Sequence, residues 1–316
     1  MGKLAFVFPG QGSQTVGMGK DFADQYEVAG SMYNQVDDVL GFKLTDIIFN
    51  GSQEKLTLTY HAQPALLATS MVMLEQFKTS GIAPDYTAGH SLGEYSALVA
   101  AGALSFPDAV KAVYLRGKFM DEAVPAGEGT MAAILGMEAQ ALKEVTDEIT
   151  NQGDVVQLAN INCPGQIVIS GTTAGVEKAS ALAKERGAKR AISLVVSGPF
   201  HSSLMKPAAQ KLEQVLNEVT VTDAEVPVIS NVTAEPMTTK GEIKQRLVEQ
   251  LYSPVRWEES IQTLLDNGVD TFIEIGPGKV LAGLIKKINR RANVFSVYDL
   301  QSMNQTIEAI KEEKSC

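Results

Sequence analysis

The stretch TAGHSLGEYSAL, Thr87 to Leu98, decides how this chain is read. PDYTAGHS reads as a short strand ended by a glycine turn, and SLGEYSALVAAGAL as the helix that follows. Gly89 and Gly93 flank Ser91 as G-x-S-x-G, so the backbone can turn sharply without Cβ clashes. A serine at such a corner projects its hydroxyl above the sheet, with the next backbone N–H groups and a helix N-terminus facing it. Two roles fit Ser91: an acyl-accepting nucleophile, or a helix N-cap, which wants the same place.

Outward from this corner, the chain alternates strands and helices. LAFVF is a buried strand followed by the turn FPGQGSQ; Asp21–Leu40 is helical, and PALLATSMVMLEQFK is a second helix. Downstream, Ser105 and Asp108 form an S-x-x-D start for a helix over Phe106–Val124. Such alternation implies a parallel sheet covered by helices. After VPAGEG the order changes: TMAAILG strand, MEAQALKEVTDEI helix, DVVQLANIN strand, QIVISG strand, AGVEKASALAKERG helix, AKRAISLVV strand. This is βαββαβ, a ferredoxin-like unit. The strand–helix pattern resumes with VPVISNV, a helix ending in RLVEQLY, ESIQTLLDNG, TFIEIG and KVLAGLIKKI. The expected fold is therefore α/β: a hydrolase-like parallel-sheet core over residues 1–127 and 198–316, with a small ferredoxin-like subdomain, 128–197, inserted in it.

Bulk properties narrow the function classes. The chain has 316 residues, 45% of them hydrophobic, and a formal net charge of -10. A negative field repels phosphate backbones, so nucleic acid is not an expected partner. LAFVF is stopped by Pro9 and Gly10, too short for a signal segment, and no transmembrane run is present, so no membrane association is expected. Two cysteines, Cys163 and Cys316, have no metal-ligand spacing and fit a reducing cytoplasm. FPGQGSQ lacks the end of a dinucleotide fingerprint, because Gln14 and Thr15 stand there; IEIGPGKV lacks the spacing of a phosphate loop.

A nucleophilic serine needs a base, and the chain holds three histidines. His90 adjoins Ser91 and points to the other side of the strand. His61 opens a helical segment and reads as a cap or surface residue. His201, in SGPFHSS, stands where the small unit returns to the large one, and by elimination is the best base; a purely structural histidine fits there as well. No acidic residue lies near it in sequence to orient its ring. Arg116 shares a helical face with Ala109, Ala112, Val113 and Met120. A guanidinium on an apolar stripe asks for an anion, either a substrate carboxylate or an internal Asp or Glu, unless the side chain snorkels to water.

Seven segments in order, FPGQGSQ, AQPALLA, GHSLGEYSAL, YLRGKFM, SGPFHS, EQLYSPVRW and FIEIGPGKVL, make the chain resemble the malonyl-CoA:acyl-carrier-protein transacylases of bacterial fatty-acid synthesis. The resemblance implies that Ser91 is acylated and His201 is its base, oriented by the main-chain carbonyl of Gln250. It implies an oxyanion hole from the N–H groups of Gln11 and Leu92, and a bidentate pair between Arg116 and the malonyl carboxylate. Gln63 lines the pocket, and Asn160 and Asn162 help bind substrate. Phe200 sets acyl choice, since related domains carry Phe there for malonyl and Ser for methylmalonyl. No metal or redox cofactor is implied. The partners are malonyl-CoA and an acidic acyl carrier protein, which needs a local basic patch on an acidic enzyme. The first candidate is Lys286 with Arg290 and Lys287 with Arg291, each at i, i+4; the second is Lys184, Arg186, Lys189 and Arg190. Such charge runs also serve simply as solvated surface. Two other activities use the same residues: a serine thioesterase that accepts water, and a non-catalytic acyl-CoA or carrier-protein binding module.

Overall fold

The computed structural model describes residues 2–125 and 127–315. Its strands are β1 (Lys3–Phe8), β2 (Tyr86–Gly89), β3 (Gly129–Leu135), β4 (Val156–Cys163), β5 (Gln166–Thr172), β6 (Arg190–Ser193), β7 (Val228–Ile229), β8 (Pro236–Met237), β9 (Val269–Ile275) and β10 (Asn293–Val297). Six of them form a sheet in the order β10-β9-β1-β2-β7-β8, parallel except at the β7–β8 edge. Strand β1 is central, and helices cover both faces. Phe6 and Phe8 enter the core on one side, Ala5 and Val7 on the other, which is why LAFVF is continuously apolar rather than alternating.

The other four strands form an antiparallel sheet, β4-β5-β3-β6, the order of a ferredoxin-like unit. Helices Ala139–Asn151 and Thr173–Glu185 cover it, burying Leu142, Val145, Ile149, Val176 and Ala179 against Ile134 and Ile169. Strand β4 is tied to the rest of the chain by the pairs Ile161 N–H to Val255 O (2.9 Å) and Val255 N–H to Ala159 O (2.8 Å). That places Asn160 and Asn162 beside the large sheet.

Several elements differ from the sequence expectation. Residues 21–40 form two helices, Lys20–Gln25 and Glu27–Leu40, separated at Tyr26 (φ -124°, ψ 123°). No Gly or Pro marks that break; it lets Phe22 and Tyr33 both enter the same core. The helix expected from Pro64 begins at Thr59 and carries Pro64 inside it. The helices Lys206–Glu218 and Leu300–Ser315 and strand β10 were not anticipated. Ser105 caps the Phe106–Glu122 helix, accepting from the Asp108 N–H at 3.2 Å. Cys163 is buried and unpaired; Cys316 lies outside the described residues. Among the described residues, no helix is long and apolar enough to cross a membrane.

Candidate active site

Strands β1 and β2 are parallel neighbours, so the loops after them, Pro9–Gly12 and His90–Leu92, emerge side by side. Ser91 sits on the second with φ of 51°, in the left-handed region that a residue with a side chain rarely occupies. The flanking glycines make this corner possible. A Cβ on Gly89 would lie 1.9 Å from the Gly93 carbonyl carbon, and one on Gly93 would lie 2.1 Å from the Phe8 oxygen. The Ser91 N–H is held by Asn231 Oδ1 (2.7 Å), whose own Nδ2 donates to the Gly89 carbonyl (2.7 Å). The Ser91 carbonyl accepts from Gln250 Nε2 (2.9 Å).

His201, also left-handed at φ 59°, comes from the segment leaving the small sheet. Its Nδ1 lies 2.8 Å from the Gln250 carbonyl, which can only accept, so Nδ1 carries the proton. The neutral ring then presents the Nε2 lone pair to the Ser91 hydroxyl at 2.8 Å. Burial, and next the Arg116 charge, push the His201 pKa down to about 3, so the ring is a neutral acceptor across the physiological range. The N–H groups of Gln11 and Leu92 carry no hydrogen bond among the described residues.

Arg116 is fully buried. Among the described residues its hydrogen bonds go to three neutral oxygens: Nη1 to Gln63 Oε1 (2.8 Å), and Nη2 to Gln250 Oε1 (2.8 Å) and Ser91 Oγ (3.1 Å). Its guanidinium carbon stands 5.7 Å from the Tyr95 ring centre. Gln63 therefore sits behind Arg116, with Nε2 near Met120 Sδ (3.5 Å), rather than on the pocket wall. A cavity of about 370 Å³ opens over Ser91 and His201, lined by Gln11, Met120, Met131, Asn160, Leu194 and Phe200 among others. Asn160 is on this wall. Asn162 instead engages His90 Nε2 at 2.8 Å, in a smaller adjoining cavity that shares Gln11, His90 and Asn160 with this one.

Sequence reasoning missed two buried groups. Glu94, read as a helix former, accepts from Gln250 Nε2 (2.6 Å) and from the Asn231 N–H (3.4 Å). Burial pushes its carboxyl up to about 8, against those hydrogen bonds and the Arg116 charge. Asn231, in VISNV, is 140 residues from Ser91 and had no local signal. Gln250 was expected to act through its carbonyl alone; its side chain also joins Arg116, Glu94 and Ser91.

The basic cluster differs from expectation. The helix Val280–Ile288 ends before Arg290 and Arg291, because Asn289 turns extended and accepts the Arg291 N–H at 2.9 Å. The i, i+4 pairing is therefore absent. Lys286 Nζ caps the Ala292 carbonyl (2.6 Å) and Lys287 Nζ reaches Gln166 (3.0 Å). In the second cluster, Arg186 pairs with Glu148 at 2.5 Å.

Comparison with known proteins gives one answer. Residues 5–308 match the model of the acyl transferase domain family. The chain is 65% identical over 313 residues to a malonyl CoA-acyl carrier protein transacylase from Bacillus subtilis, covering 99% of each chain. It superposes on an acyl carrier protein S-malonyltransferase from Vibrio cholerae with a TM-score of 0.94 and 46% identity, covering 96% of this chain and 99% of that one. A malonyl-transacylase solved in complex with its type II PKS acyl-carrier protein is similar with a TM-score of 0.94 and 43% identity, covering 97% of this chain and 99% of that one.

Proposed function

The chain belongs to the acyl transferase domain family, and from that premise we propose how its residues carry out the reaction. It is an acyl-carrier-protein S-malonyltransferase: it moves the malonyl group from malonyl-CoA to the carrier protein, supplying fatty-acid synthesis. The observation that carries the residue-level reading is the array at Ser91 Oγ, with a neutral imidazole at 2.8 Å and a buried guanidinium at 3.1 Å.

Ser91 Oγ attacks the thioester carbon while its proton passes to His201 Nε2. The oxyanion is held by the Gln11 and Leu92 N–H groups, each worth about 3–4 kcal/mol in comparable acyl-transfer sites. The C–S bond breaks, the CoA sulfur takes the proton from His201, and malonyl-Ser91 remains. The phosphopantetheine thiol of the carrier protein then gives its proton to His201 and takes the acyl group by the same path in reverse. Arg116 exchanges neutral acceptors for the malonyl carboxylate, a stronger partner. Asn160 and Phe200 shape the wall around the acyl chain, and Asn162 acts through His90. We treat 128–197 as a small subdomain closing over the large one, 1–127 with 198–316, and place the enzyme in the cytoplasm, where its substrates are made.

Brief exposure to malonyl-CoA followed by peptide mass spectrometry tests this reading. A malonyl adduct on Ser91 that the carrier-protein thiol removes faster than water does is the expected result. No adduct, or release mainly as free malonate, would sink it.

A further inference from the structure

Arg116 is fully buried, yet its hydrogen bonds among the described residues all go to neutral oxygens. An uncompensated guanidinium in such a place is costly. A balancing charge stands one amide away: Gln250 donates from Nε2 to Glu94 Oε2 (2.6 Å) and accepts at Oε1 from Arg116 (2.8 Å). Both contacts of Glu94 come from donors, as suits a carboxylate, while its Oε1 is equally buried and has no partner among the described residues. The carboxyl is thus built to hold either charge state: ionised it is half satisfied, and protonated it is relieved of desolvation.

We propose that Glu94, when ionised, is the counter-charge of Arg116, relayed through Gln250, and that it then takes up a proton when the malonyl carboxylate arrives on Arg116. In that alkaline state, before loading, one guanidinium faces one carboxylate. After loading it faces two, and the buried site holds an excess negative charge unless one carboxylate is neutralised. The proton comes from bulk water and leaves again when malonyl departs. Glu94 does not touch the acyl group; it is a positioning residue that acts through Gln250 and Arg116.

The other titratable groups around Glu94 do not answer to pH in this range. His201, from the segment after the small sheet, is already neutral, and His90, in the preceding turn, is pushed down by burial. Tyr95, on the same helix, is pushed upward by burial; Arg116, on the Phe106–Glu122 helix, is pushed down by burial against the opposing pull of Tyr95 and Glu94, and a guanidinium stays charged in this range. Gln250 and Asn231 are neutral. Glu94, raised to about 8, is protonated below that pH and ionised above it. Malonyl loading therefore weakens as pH rises through that value, because the incoming carboxylate then meets a second one.

The inference rests on the malonyl-serine reading, and its test separates the two. Single-turnover acylation of the full-length enzyme is followed with a pH indicator between about pH 7 and 9, while mass spectrometry counts the adduct. Malonyl-CoA and acetyl-CoA are compared in the wild type and in Glu94→Gln, whose amide oxygen can still accept from Gln250 and Asn231. The wild type should bind up to about one more proton per malonyl adduct than per acetyl adduct on the alkaline side. It should also show an alkaline fall in kcat/KM for malonyl-CoA alone. Glu94→Gln should erase both differences. Equal proton uptake for the two acyl groups in the wild type, or a difference that persists in Glu94→Gln, overturns the inference while leaving malonyl transfer intact. Absence of any Ser91 adduct overturns the underlying reading as well. The wild-type contrast stands even if the variant folds poorly.

Discussion

Beneath the cavity, behind Ser91, Arg116, Glu94, Asn231 and Gln250 are each 0% exposed; at its mouth, Val195 is 99% exposed. The floor is polar and buried, and its groups share a connected set of hydrogen bonds. The mouth, at Val195, is apolar and open to water. In a buried polar network each group depends on its neighbours, since a lost partner leaves another group desolvated and unpaired. An exposed side chain has water as its alternative partner. Chemistry and acyl choice should therefore be brittle at the floor, and partner contacts gradual on the exposed surface.

Arg116→Ala is expected to show the largest effect. Removing one side of a buried charge pair costs about 3–5 kcal/mol, so malonyl loading should fall by roughly 10²- to 10⁴-fold. Acetyl loading, which brings no carboxylate, should fall much less; an equal loss for both in kcat/KM would make Arg116 a structural residue and break the contrast. Asn231→Ala comes next. It frees the Ser91 N–H and the Gly89 carbonyl, which the Asn231 side chain holds at 2.7 Å each. Loss of two buried hydrogen bonds at a strained corner should lower Tm and cost about 1–3 kcal/mol in kcat/KM. Unchanged kcat with unchanged Tm would mean that the left-handed Ser91 backbone needs no such support.

Phe200→Ser acts on the wall between floor and mouth, where Phe200 is 6% exposed. Space beside the base should raise methylmalonyl-CoA use relative to malonyl-CoA by roughly tenfold, the scale of one methyl group in an apolar pocket. A constant ratio of the two kcat/KM values would assign acyl choice elsewhere. The smallest effect is expected on the exposed basic surface. Lys286→Glu with Lys287→Glu should raise KM for the carrier protein a few-fold and flatten its salt dependence, with the rate of Ser91 loading unchanged. Because Lys286 also caps the Ala292 carbonyl, Tm is measured alongside. Wild-type carrier-protein KM and salt response would move the test to Lys184, Arg186, Lys189 and Arg190.

Local patterns in the chain determined most of its strands, most of its helices and the elbow at Ser91. Apolar runs, caps and the G-x-S-x-G spacing act over a few residues, and the glycines that permit the turn are adjacent to it. The βαββαβ order was legible for the same reason. The sequence could not show the break at Tyr26, where the packing of Phe22 and Tyr33 outweighs helical continuity, or the early end of the Val280–Ile288 helix at Asn289. Arg116 stood out as a charge on an apolar stripe, but whether it waits for a substrate carboxylate, pairs with an internal acid or snorkels was open. The fold buries it with neutral oxygens in contact and Glu94 one amide further on. Glu94 lies three residues from Ser91 and looked like any helix former, while Asn231 and Gln250 join the site from 140 and 159 residues away. Periodicity records which face of an element is buried. Which buried polar groups meet depends on how strands from distant parts of the chain pair, and that is settled only when the sheet forms.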